Sequence, residues 1–128
     1  MEIDNKIINF YKNDINLLEE KILSYISKFE LFLKSKSEYY VFINEVNEKF
    51  EFMSEKIELE IEQFIINIEE KTKKFILEIG EEKSEQLSEI FNNRLNELYK
   101  NLEIKLDSVK KRMEITINVK TAQEMQKK

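Results

Sequence analysis

Residues 56–64 read KIELEIEQF, Lys56 to Phe64, and two secondary structures compete for them. In a strand, Ile57, Leu59 and Ile61 face one way and Glu58, Glu60 and Glu62 the other. In a helix, Ile57, Ile61, Phe64, Ile65 and Ile68 share one face. The alternation ends where Gln63 and Phe64 reverse it. The helical spacing Ile57, Ile61, Phe64, Ile68, Thr72, Phe75, Ile79 runs on for 23 residues, closer to an eleven-residue repeat than to seven. The stretch therefore predicts a helix, and with it an all-α fold.

Upstream the pattern is a heptad. Ile8, Tyr11, Ile15, Leu18, Ile22, Tyr25, Phe29, Phe32, Lys36, Tyr39, Ile43, Val46, Phe50, Met53 and Ile57 alternate steps of three and four, and fourteen of these fifteen are apolar or aromatic. A second stripe, Ile3, Phe10, Leu17, Leu31, Phe52 and Leu59, widens the apolar arc beyond what one neighbouring helix covers. The expected packing core comprises Ile8, Ile15, Leu18, Ile22, Phe29, Phe32, Ile43, Val46, Phe50, Met53, Ile57 and Phe64. Phe50 is expected to be buried in the bundle or assembly core, because each neighbour one turn away along the seam is apolar. Tyr11, Tyr25 and Tyr39 fall on the same inward seam and read as core rather than as a platform for stacking bases, their sequence neighbours being Glu and Asn.

Punctuation is scarce: the 128 residues contain one Gly and no Pro, which suits long helices and not the frequent turns of a β fold. Gly80 follows the apolar stripe and suits the left-handed conformation that closes a helix, with Glu81 and Glu82 favouring the first turn of the next. Ser35-x-x-Glu38 has capping-box spacing, so a second break at residues 34–37 competes with an unbroken helix whose phase runs through Lys36. The alternatives are a long helical hairpin or a three-helix bundle. Beyond Gly80, Leu87, Phe91, Leu95, Leu98, Leu102, Leu106, Val109 and Met113 mark a further helix, giving a helical domain over residues 1–113. In residues 115–119, four of five positions are β-branched, so residues 114–128 read either as a continuation of that helix or as an extended tail. The tail is basic: residues 110–128 carry a net +4 in a chain of net −5, and Lys110, Lys111, Arg112, Lys127 and Lys128 are the candidate anion contacts.

Composition narrows the chemistry. Without His or Cys the chain lacks the commonest general base, thiolate metal sites, disulfides and the usual nucleophile systems, and one Gly cannot build a phosphate loop. Ser108-x-x-Lys111 has the spacing of some acyl-transfer enzymes without their supporting motifs, and Glu58, Glu62, Glu69 and Glu70 read as a solvated face rather than a cation site. No catalytic residue, cofactor or metal is expected. No apolar run reaches the ~18 residues of a membrane span, and MEIDNKIINFYKND lacks a secretory core, so a cytoplasmic protein is expected. Lys, Asn, Ile and Glu, with A- and T-rich codons, fit a low-GC microbe or a mobile element.

These features point to a non-enzymatic assembly module whose helices pack on a second copy or another protein. An acidic inhibitor or regulator from a phage or plasmid, seated on a basic groove of a partner, is the alternative. An amphipathic lipid-surface protein ranks third, since acidic polar faces suit anionic lipid poorly. Neither nucleic acid nor membrane is an expected partner.

Overall fold

The computed structural model describes residues 5–35 and 37–127, with side chains from residue 9 onward except those at 10 and 79. These residues form three helices, α1 (Asn5–Leu33), α2 (Tyr39–Ile79) and α3 (Glu81–Gln126), each packed on the other two, with no strand among them. KIELEIEQF lies wholly within α2, where Ile57 is buried and Leu59 is exposed.

The chain does break after α1. The Lys34 amide bonds to the carbonyls of Glu30 and Leu31, both at 3.2 Å, and the Ser35 amide to that of Phe32 at 3.0 Å, so the last turn tightens into i→i+3 bonding. The capping box does not form. Glu38, extended at φ −62° and ψ 149°, occupies the N-cap of α2 without a side-chain cap, and its carbonyl accepts the Phe42 amide at 2.9 Å. Ser35 is spent on closing α1, and its hydroxyl lies 2.9 Å from that of Ser37. Lys36, the one polar residue in the heptad seam, lies outside the described residues.

A single residue joins α2 to α3. The Gly80 amide still bonds to the Ile76 carbonyl at 2.9 Å, but φ 86° with ψ 163° reverses the chain at once. The positive φ agrees with expectation; the extended ψ lies outside the left-handed helical well, in a region essentially restricted to glycine. Glu81 and Glu82 follow in the first turn of α3.

The main core gathers Leu18, Ile22, Ile26, Phe29 and Leu33 from α1, Phe42, Val46, Met53 and Ile57 from α2, and Leu98, Leu102, Val109 and Met113 from α3. A smaller cluster of Tyr11, Ile15, Ile68 and Leu87 fills the end near Gly80. Tyr11 is 2% exposed and its hydroxyl lies 3.0 Å from the Thr72 hydroxyl, so its burial leaves no orphan oxygen.

α3 continues to Gln126, through the β-branched run. Packing offsets the weak helix propensity there: Ile117 packs against the main core, while the Thr116 hydroxyl is satisfied within the helix by donating to the Arg112 carbonyl at 2.7 Å. Further on, the Lys120 ammonium donates to the Ser37 carbonyl at 2.7 Å and stands 4.4 Å from the centre of the Phe42 ring, locking α3 to the α1–α2 turn.

Candidate interaction surface

Of the expected core, Ile15, Leu18, Ile22, Phe29, Val46, Met53 and Ile57 are buried, while Phe32, Ile43, Phe50 and Phe64 are half-buried and pack against the core edge. The side chain of Ile8 lies outside the described set. Phe50, expected in the bundle or assembly core, is only half-buried within the bundle, where it meets Phe29 edge-on, with ring centres 5.6 Å apart. The buried residues missed by the strict heptad are Ile26, Leu33 and Phe42. A straight helix repeats every 3.6 residues, so a 3.5-residue stripe drifts off the buried line, and steps of four (Ile22, Ile26 and Phe42, Val46) take its place.

Between α1 and α2 runs an open groove. Near its middle the Tyr25 hydroxyl donates to Glu60 Oε1 at 2.8 Å, and Lys21 Nζ stands 3.0 Å from Glu60 Oε2. Toward the Gly80 end, Asp14 and Lys71 pair at 3.3 Å. Between these clasps the groove encloses about 490 Å³ over the buried side chains of Leu18 and Ile68. Toward the other end a pocket of about 190 Å³ is walled by Tyr25, Phe29, Phe32, Phe52 and Met53, with Lys28, Lys49 and Lys56 around it. Lys56 lies 4.7 Å from the Tyr25 ring centre and 5.8 Å from that of Phe52, and Lys49 lies 4.8 Å from that of Phe32. These lysines correct the aromatic environment inferred from sequence neighbours: the cations arrive from across the groove and along the helix face.

The Tyr25 hydrogen bond, and then Lys21, hold the Glu60 carboxyl below the ordinary carboxylate range. The same bonds raise Tyr25 and Lys21. The clasp therefore contributes stability above the ordinary carboxylate range, lost as pH falls through the depressed Glu60 value; the Tyr25 and Lys21 contributions are lost as pH rises through their raised values. Unfolding followed between neutral and acidic pH should show a shallower acid-side decline in Glu60→Gln than in the parent. An unchanged slope would mean that the clasp is not populated in solution. At the Gly80 end of the bundle, burial raises Tyr11 and the Thr72 bond partly offsets it.

Apolar ridges flank the groove. Leu17 and Leu31 on α1 are 63% and 68% exposed, and Phe52, Leu59 and Ile66 on α2 are 65%, 63% and 52% exposed. Most of these belong to the second apolar stripe of the sequence. α3 packs on the other side of both helices and does not cover it. Immediately beyond the α2 ridge stands an exposed acidic row, Glu48, Glu55, Glu62 and Glu69, again at seven-residue intervals.

The basic tail divides. Arg112 bonds to Glu30 at 2.9 Å, with Lys105 on the same carboxylate at 3.5 Å, so Arg112 holds α3 to α1. Lys110 and Lys111 are exposed on α3, Lys127 is exposed at its C-cap, and Lys128 lies outside the described residues. Among the described residues no three potential ligand side chains converge on a cation site, and no helix is long and apolar enough to cross a membrane. No family model, curated protein or solved structure matches the chain.

Proposed function

We propose that the chain is a non-enzymatic, cytoplasmic assembly module that associates with further copies of itself through the outer face of α1 and α2, in coiled-coil-like packing. The observation that carries this reading is the pair of exposed ridges. Phe52, Leu59 and Ile66 recur at heptad intervals on α2, and Leu17 and Leu31 stand two heptads apart on the adjacent α1, whereas isolated exposed apolar residues would need no partner.

Leu59→Glu tests it. With Leu59 63% exposed, the substitution should leave helix content and cooperative unfolding intact while shifting the mass in solution from oligomer toward monomer. A parent chain that sediments as a strict monomer at high micromolar concentration would refute self-association.

A further inference from the structure

Resting on that reading, we infer that the second copy is a parallel one, with α2 of each chain lying in the partner's α1–α2 groove about a two-fold axis that runs along the helices. Across the face, the order is Leu17 and Leu31 on α1, a groove that is charge-balanced toward Gly80 and basic at its other end, where Lys28, Lys49 and Lys56 line it, an apolar ridge on α2, and then the acidic row. A basic groove with apolar lips takes an acidic amphipathic helix. The α2 edge of this chain is one: Phe52, Leu59 and Ile66 beside Glu48, Glu55, Glu62 and Glu69.

Height decides the orientation. Lys21 and Tyr25 meet Glu60, Tyr25 meets Lys56, and Asp14 meets Lys71, so Lys28 stands level with Glu55 and Lys21 with Glu62 to within about one helical turn. A face that docks on its own copy has its two-fold axis in the plane of contact. With the axis across the helices, α2 lies over α2 and the two acidic rows oppose each other. With the axis along them, each α2 enters the other groove and Glu55 arrives beside the partner's Lys28, while Glu62 comes level with the partner's Lys21, which Glu60 already neutralises. Asp14 would stand level with Glu69, but Lys71 already neutralises it.

The chain has no native Cys, so single cysteines report position without background. Phe52→Cys and Ile66→Cys chains, treated with a short bifunctional maleimide, should each cross-link to themselves. A mixture of the two should yield no mixed product above background, because the sites lie about 21 Å apart along the axis at ~1.5 Å per residue. Lys28→Glu and Glu55→Lys should each weaken the dimer by roughly three- to tenfold, and the double variant should recover. Circular dichroism on each variant confirms that the helices are retained. A mixed Phe52–Ile66 product without self-products, or no product from a chain that sediments as a dimer, overturns this geometry while leaving self-assembly standing. A monomer overturns both.

Discussion

Phe42→Ala should lower the free energy of unfolding by about 3–5 kcal/mol, a large share of the ~5–15 kcal/mol that holds a domain together. The ring is fully buried, stacks on Phe32 with centres 5.6 Å apart and planes 16° from parallel, and carries the Lys120 ammonium on its face. Its removal opens a cavity where α1 ends, α2 begins and α3 crosses the turn, and it removes the surface that positions Lys120 on the Ser37 carbonyl. Phe50→Ala should cost about half as much, since that ring is half-buried, and Glu48→Ala on the exposed row less than about 0.5 kcal/mol. Denaturant unfolding of the three variants at one fixed protein concentration checks the order, because association would otherwise change apparent stability. Equal losses for Phe42 and Phe50 would contradict the core placement.

Gly80 is the second sensitive position. Nothing lies within 4 Å of where a Cβ would stand, so a substitution meets no steric neighbour and reports backbone conformation alone. At φ 86° and ψ 163°, Gly80→Ala should cost about 1–3 kcal/mol, and Gly80→Val at least as much. Asn, which often rescues a left-handed helical residue, should give little relief here because ψ is extended. Thermal unfolding of the Ala, Asn and Val variants should show all three destabilised; full stability in Gly80→Asn would place the turn in the left-handed well instead.

The helical class, the turn at Gly80 and the position of Leu87, Leu98, Leu102, Val109 and Met113 on the buried side of α3 were all legible as periodicity. Periodicity could not decide the break after Leu33, because the heptad phase passes through it unshifted. What closes that turn is contact at a distance: Phe32 on Phe42, and Lys120 reaching back across 83 positions to Ser37. The second stripe was visible at Leu17, Leu31, Phe52 and Leu59, but the sequence offers no way to know which stripe the third helix covers. The groove lysines were hidden for the same reason, since Tyr25 and Lys56 become neighbours only when α1 and α2 fold together.

The double grip on Glu30 bears on a weakness of repetitive helices. If α3 slid by one heptad along α1 so that Phe91, Leu95, Leu102 and Leu106 took the places of Leu98, Leu102, Val109 and Met113, the core would stay apolar, so apolar packing alone resists that shift poorly. The opposite shift would bury Arg94, Lys105 and Lys120. Glu30 does discriminate: it holds Lys105 and Arg112, which stand seven residues apart on α3. Slippage in one direction would bring Leu98 into place of a cation, and in the other Val119. Either shift also carries Lys120 about 10 Å from the Ser37 carbonyl, at ~1.5 Å per residue. One carboxylate and one carbonyl thus act as a vernier in the one direction that apolar packing leaves open, marking a single alignment of the third helix at modest energetic cost.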